Sequence, residues 1–468
     1  MQPRRINAFR QSVLRAAAAL AVAAAAVAVS LPAHAESIAG ALAKAYSGNP
    51  QLQADQARQR ATDERVPQAK SGWRPQVEAQ AGVSRNWQGS RLNGVAVTND
   101  RDFTNRNFTI TLNQPVFDGF RTENSVREAE AAVAAGNQNL LAVEQEVLLN
   151  AATAYMNVLR DREIVGYRRR SLDFFDEEVR ASQARFNVGE ITRTDVAQAR
   201  SRASEARGNL AVAIGNLESS VANYVRVIGD APGKLKYPDL SPRVPKTLRD
   251  AIDIASQTNP QILAAAFNEE AAVANIGVRK ADLLPQLGFQ AQYSIAAEPS
   301  STLAESESAS VGGVLSIPIY DGGSTYSRIR EAKQTASQRR LQVLDAQRQV
   351  RESVVRAWHL LKAATATIKA AEDAVAAQRI ALEGVREEAR VGTRTTLDVL
   401  NAANELVFAS IALANARRDR IVAGYQLVAA TGRMTAADLR LSVALYQPGV
   451  NYDDVRDKAF GARILDQD

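Results

Sequence analysis

Residues that could do acid–base or nucleophilic chemistry are common in this chain, but their types and spacing do not form a catalytic site. The 468 residues include 51 acids, two histidines and no cysteine. The acids are spread along helical stretches at solvent-face spacing, which is typical of ion-paired surfaces. Two carboxylates are enough for glycoside hydrolysis, so a hydrolase stays open as an alternative. We predict no catalytic residue, no cofactor and no metal site.

One pattern with defined chemistry occurs twice, and in each copy Val-Gly is followed by Thr and, three residues later, by Asp. These residues are Val188, Gly189, Thr192 and Asp195 in the first copy and Val391, Gly392, Thr395 and Asp398 in the second. Gly commonly ends a helix in a left-handed conformation, and Thr with an acid three residues later forms a capping box. The pattern therefore predicts two sharp helical hairpins.

The two turns belong to a tandem repeat of about 205 residues. Asn-Pro-Gln at 49–51 recurs at 259–261, and the segment 114–119 aligns with 317–322. We predict a first structural repeat over 36–230 and a second over 246–441. The linker 231–245, with four prolines, is expected to be extended, and 442–468 forms a C-terminal tail.

Each repeat is predicted to contain a short helix, two strands and a long helical hairpin. Apolar and polar residues alternate from Val77 to Val83 and from Asn107 to Asn113, with a polar loop between them to about Thr104. The second repeat alternates in the same way over 287–295 and 311–317. Alternation of this kind indicates strands with one apolar and one polar face.

Long proline-free runs follow each strand pair. Phe120 to Phe186 is 67 residues, and as one helix it would be ~100 Å long. Apolar residues recur there every seven positions, as in a coiled-coil seam. They are Val126, Val133, Leu140 and Val147 in the first run and Ile329, Ala336, Val343 and Val350 in the second.

The first 35 residues have the pattern of a secretory signal peptide. Four arginines precede an apolar stretch from Ala16 to Leu31, and Ala33-His34-Ala35 offers a cleavage site. An uncleaved membrane anchor is the alternative. Removal of four arginines lowers the net charge from +6 to +2, so we predict no nucleic acid partner.

The predicted strands bear on how the protein could cross a membrane. After residue 35 we expect no apolar run of the ~18 residues that a spanning helix needs. Four amphipathic strands are too few for a transmembrane barrel, which takes at least ~8. Two or more chains would then share one barrel, with the polar strand residues lining a water-filled lumen.

At this point the chain resembles a known family. The duplicated halves, Gln-Pro-Val-Phe-Asp-Gly-Phe-Arg-Thr at 114–122 and the paired Val-Gly turns are similar to the TolC family of outer-membrane channel proteins. The resemblance implies a mixed α/β fold, mainly of long α-helices. Three chains would share a twelve-stranded barrel in the outer membrane, and twelve helices would form a tunnel in the periplasm. It further implies a passive exit duct, opened by a periplasmic adaptor and an inner-membrane ABC transporter or other pump.

The resemblance also assigns roles at the two turns. Adaptor docking falls on Arg185, Val188, Gly189, Arg390, Val391 and Gly392. A latch that closes the tube falls on Arg394 with Thr194 and Asp195, and a constriction falls on Asp398. The family prototype has a second Asp where this chain has Asn401 and an aromatic residue where it has Ala389. We therefore expect a weakly acidic constriction, with three charges in a trimer rather than six.

Two details separate the remaining hypotheses. The segment 154–160 is most similar to the branch that serves type I, ABC-driven protein secretion, with multidrug efflux as the alternative. A structural coiled-coil surface protein ranks lower, because it would not need amphipathic strands. Asp195 and Asp398 also have a simple role as helix caps, and this does not exclude a pore role.

Overall fold

The computed structural model describes residues 36–88, 91–93, 95–96, 101–240, 243–300 and 303–464. The predicted signal peptide, two linker residues at 241–242 and the last four residues of the tail lie outside the described residues.

Within the described residues one series of elements occurs twice. The first series is α1 (Ile38–Gly48), α2 (Pro50–Asp63), α3 (Arg65–Lys70), β1 (Gln76–Gln88), β2 (Arg91–Leu92), β3 (Val95–Ala96), β4 (Arg101–Phe117), α4 (Arg121–Asn187) and α5 (Arg193–Ile228). The second is α6 (Leu248–Thr258), α7 (Pro260–Lys280), β5 (Gln286–Ser300), β6 (Leu303–Ser316), α8 (Ser324–Arg390) and α9 (Thr396–Ala430), followed by α10 (Pro448–Val455). Single-turn 3₁₀ helices at Ser71–Trp73 and Ala281–Leu283 lead into β1 and β5.

The long strands form an antiparallel sheet in the order β1-β4-β5-β6. One row across the sheet joins Gln80, Thr109, Ser294 and Ser308, and the neighbouring row joins Ala79, Ile110, Tyr293 and Ala309. The predicted alternation therefore gives one polar and one largely apolar face. The apolar face is uncovered in the single chain, where Val77 is 66% and Val83 75% exposed.

Two strands begin earlier than the sequence predicted. β4 starts at Arg101, inside the expected loop, and pairs with Gln88; β6 starts at Leu303 rather than Val311. The added residues are mainly polar, and the backbone ladder holds them without an apolar alternation. The same loop also contains the unpredicted hairpin β2-β3, which turns at Asn93 with a positive φ of 52°.

Helices α4 and α8 are each 67 residues long and confirm the predicted continuous helices. The heptad positions of α4 are buried, and those of α8 are buried except Val343, which is half-buried. Each helix begins with an aspartate cap, in which the Asp118 carboxylate accepts from the Thr122 amide at 2.8 Å and Asp321 from the Thr325 amide at 2.7 Å. This explains the repeated Asp-Gly motif between strand and helix.

Below the sheet the helices form a layer in the order α3-α4-α7-α8. This is the order of the strands to which they connect, so the wall made by the sheet continues as a wall of helices. Further along, α5 packs on α4 and α9 packs on α8 and α4.

The largest core among the described residues lies midway along α4, beside the C-terminal ends of α5 and α9. Tyr155 and Met156 of α4 and Tyr224 of α5 are fully buried there, with Val428 of α9. The Tyr155 hydroxyl is 2.7 Å from the Glu36 carbonyl and 2.6 Å from that of Lys236. Burial raises the pKa of this hydroxyl to about 12, so it stays protonated.

The expectation of no further membrane-length apolar run was wrong. Among the described residues one helix, α9, contains an 18-residue window with a mean hydropathy of 1.4. Leu413 packs in a small cluster with Ala371 and Ala416, while Ile421 and Val422 enter the main core. In the single chain 33% of that window is buried, so packing among the described helices covers a part of this apolar stretch.

The C-terminal tail returns to the start of the chain. Asn451 of α10 donates from Nδ2 to Asp63 Oδ2 of α2 at 2.8 Å, and Gln59 donates to the other oxygen at 3.0 Å. Asp63 is 1% exposed, and burial raises the pKa of its carboxyl. Lys70 and Asp457 add an ion pair at 2.6 Å.

Candidate functional site at the hairpin tips

The first tip is a tight turn that closes α4. The Glu190 amide donates to the Arg185 carbonyl and the Gly189 amide to the Phe186 carbonyl, both at 3.0 Å. Gly189 has a φ of +82°, where a side chain would be strained. Val188 projects into solvent and is 72% exposed.

The second tip repeats this geometry at the end of α8. The Thr393 amide donates to the Glu388 carbonyl at 2.9 Å, and Gly392 has a φ of +85°. Val391 is 73% exposed. An exposed valine therefore precedes a left-handed glycine in both turns.

Both predicted capping boxes are confirmed. Asp195 accepts from the Thr192 amide at 2.9 Å and from its hydroxyl at 2.7 Å; Asp398 accepts from Thr395 at 3.0 and 2.8 Å. The Thr192 hydroxyl and then its amide lower the pKa of Asp195. For Asp398 the amide of Thr395 and then its hydroxyl lower the pKa. Both acids therefore remain charged at neutral pH.

Arg394 forms an ion pair within its own turn. Its Nε donates to Glu388 Oε2 at 2.8 Å, and this bond raises the pKa of the guanidinium. Neither Thr194 nor Asp195 is its partner in the described chain, and Thr194 is exposed. The latch between the two tips stays a prediction.

One side-chain hydrogen bond that joins the two hairpins could not be predicted from any sequence pattern. Arg202 Nη2 of α5 donates to Asn401 Oδ1 of α9 at 3.0 Å, across 199 residues of sequence. Beside it Phe175, Ala203 and Leu400 form a buried cluster. The neutral Asn401 is thus part of the contact that sets one tip beside the other.

A charged groove of 560 Å³ runs between the tips. Glu178 and Arg185 of α4 line it, together with Arg386 and Arg390 of α8. Burial raises the pKa of Glu178, with the nearby arginines opposing that shift. Arg185 and Arg390 are exposed, and Arg390 pairs with Glu387 at 3.4 Å.

Comparison with known proteins identifies the family of this chain. The model of the family described as "Outer membrane efflux protein" matches residues 41–230 and 251–433. The chain belongs to that family. The outer membrane efflux protein BepC of Brucella suis is 40% identical over 432 residues, covering 92% of this chain and 93% of BepC.

More distant members extend the comparison. The outer membrane protein TolC of Escherichia coli is 26% identical, covering 88% of this chain and 86% of TolC. The alkaline protease secretion protein AprF of Pseudomonas aeruginosa is 26% identical, covering 75% of this chain and 74% of AprF. The solved Campylobacter jejuni CmeC outer membrane channel superposes with a TM-score of 0.75 at 16% identity, covering 90% of this chain and 89% of CmeC. The TolC-family resemblance is confirmed, and this member of the outer membrane efflux family is an outer-membrane protein that extends into the periplasm.

Proposed function

We propose that three copies of this chain form one exit duct, with a shared twelve-stranded barrel in the outer membrane and a tunnel of helices in the periplasm. The observation that carries the proposal is the four-stranded sheet. Within the described residues its edge strands β1 and β6 each lack a partner on one side, and its apolar face is uncovered. Open edges are not tolerated in hydrocarbon, because their backbone groups have no partner. Pairing of β6 with β1 of the next copy closes the sheet, and lipid covers the apolar face.

The long helices support the same assembly. Leu341, Leu360 and Ile380 of α8 are 63%, 49% and 72% exposed in the single chain. Apolar side chains along one 67-residue helix need a covering partner. Because α8 is the last helix of the layer, a neighbouring copy supplies that cover.

We further propose that the tips form the periplasmic entrance. An adaptor protein docks on Arg185, Val188, Gly189, Arg390, Val391 and Gly392, and it links the duct to an inner-membrane pump. Arg394, Thr194, Asp195, Asp398 and Asn401 control the constriction. The capped and paired turns give this entrance a defined shape.

We propose ABC-driven protein secretion as the transport task. The similarity to AprF, a protease secretion protein, supports it. Multidrug efflux is the second candidate, because the relative with 40% identity is named an efflux protein.

The assembly is tested by cross-linking, for which the cysteine-free chain is well suited. Cysteine at Ala79 of β1 is combined with single cysteines along β6 from Ala309 to Leu315. We expect covalent dimers and trimers at matching register only. As the control, cysteine at Gln292 in the interior strand β5 is combined with the same cysteines along β6. This control should give no covalent dimers or trimers. A monomeric mass in detergent with no cross-link at any position would refute the shared barrel.

A deletion strain tests the task. Loss of specific secreted proteins with unchanged drug sensitivity supports protein secretion. The reverse result supports efflux and would overturn our first choice.

A further inference from the structure

We propose that four arginines below the sheet form a cationic belt inside the duct, which binds multivalent oxyanions. They are Arg65, Arg279, Arg328 and Arg339, and they line a cavity of 980 Å³. The assignment of this surface to the lumen rests on the proposed trimeric duct.

We infer that the cavity lies on the concave side of the helix layer. Its lining comes from α3, α4, α7 and α8, which are four successive helices of the layer. One open space that contacts all four helices is the arrangement expected where a layer curves around it. The groove on the opposite side, which includes Arg127 and Lys280, touches α4 and α7 alone. When copies close the layer into a tube, the concave side becomes the inside.

The arginines on this surface are available to a ligand. All four are exposed, and none forms an ion pair within the described residues. In the part of the chain that the structure describes, Arg339 donates to the neutral side-chain amide of Gln342 at 2.9 Å. Guanidinium groups offer forked donors that suit phosphate and carboxylate oxygens.

The acids of the same cavity do not cancel this charge. The cavity contains Glu128 and Glu331 beside the four arginines, which leaves a net +2 in each chain. Glu128 accepts both of its contacts from the neutral amide of Asn275, at 3.0 and 3.1 Å. Three chains would place six net positive charges around the same lumen.

The belt also has a defined position. Arg279 lies just before the 3₁₀ turn that leads into β5, and Arg328 is in the second turn of α8. Arg339 lies ~16 Å further down the helix at 1.5 Å per residue. The polar face of the sheet above is mostly amides and hydroxyls, with Glu78 among them. A ring of arginines around a channel favours anions.

The experiment uses the reconstituted protein in planar bilayers, with inorganic tripolyphosphate added on the barrel side. In about 0.1 M KCl we expect tripolyphosphate to block the current, and block should fade near 1 M, where the Debye length is only ~3 Å. The double variant Arg279→Gln/Arg328→Gln should raise the blocking concentration on the order of tenfold or more, because it removes six charges from a trimer. Glu331→Gln should lower it.

Lys280→Gln is the matched control, since Lys280 adjoins Arg279 in sequence but lines the opposite groove. Tripolyphosphate should block Lys280→Gln channels at the same concentration as native channels. Should the double variant fail to insert, the single variants Arg65→Gln and Arg339→Gln make the same test. Two results would overturn the belt and leave the duct standing. In one, tripolyphosphate does not block channels that conduct; in the other, it blocks every arginine variant at the native concentration. Absence of any channel would instead refute the proposed duct.

Discussion

The second hairpin tip offers a direct test of the backbone geometry, through Gly392→Ala. Gly392 has a φ of +85°, and a Cβ at this position would meet no atom within 4 Å. The cost is therefore purely conformational, roughly 1–2 kcal/mol for a non-glycine residue in the left-handed region. A destabilisation of the folded tip by that free energy makes local opening about 5–30 times more frequent.

Hydrogen exchange of the detergent-solubilised protein measures this opening. The hydrogen-bonded amides of Thr393, Thr395 and Asp398 should exchange faster by that factor in Gly392→Ala, and by less in Gly392→Asn. The tip at Gly189 serves as the internal reference and should not change. Gly384→Ala is the matched control, because Gly384 lies within α8 and also meets nothing within 4 Å. If Gly392→Ala exchanged like the native chain, the tip would not depend on its left-handed glycine.

Three further predictions concern both tips. Arg394→Ser and Asp195→Ala should each raise conductance in planar bilayers. Thr192→Ala, which removes only the capping hydroxyl, is the control and should not. Unchanged conductance in both Arg394→Ser and Asp195→Ala would contradict the latch. Asn401→Asp should convert weak block by divalent cations into strong block, and equal block would show that this position lies off the conduction path. The lowered pKa values of Asp195 and Asp398 mean that their caps stabilise the tips above the ordinary pKa of 3.8 and lose that effect as the pH falls below it. Exchange corrected for its intrinsic pH dependence should therefore rise below that pH, and Asp398→Asn should abolish the rise at the second tip only.

Local patterns predicted the elements of this fold well. Two proline-free runs with heptads became two 67-residue helices, and Thr192 with Asp195 formed the expected capping box. These features depend on residues within a few positions of each other, so a sequence displays them. Strand ends were less predictable, because Arg101 and its neighbours pair through the backbone while their side chains are polar.

Contacts between distant segments could not be predicted. The bond from Arg202 to Asn401 depends on the axial stagger of two hairpins, which no local pattern records. The partner of Arg394 is different, because Glu388 lies only six residues upstream and the turn brings the two together. That ion pair was within reach of sequence reasoning once the turn had been recognised. The position of the candidate site in the fold was therefore predicted, but the residues that pair within it were not.

The contact between Asp63 and Asn451 has a consequence for biogenesis. The two residues are 388 positions apart, and the carboxylate is almost fully buried. During synthesis Asp63 is made early and Asn451 near the end. The Asp63 carboxylate of α2 can therefore accept from the Asn451 amide only after the tail has been made. Truncation before Pro448 would leave the acid one partner short, and a buried polar group without its partner is costly. The tail thereby stabilises a carboxylate that the first repeat buries with Gln59 as its other amide partner.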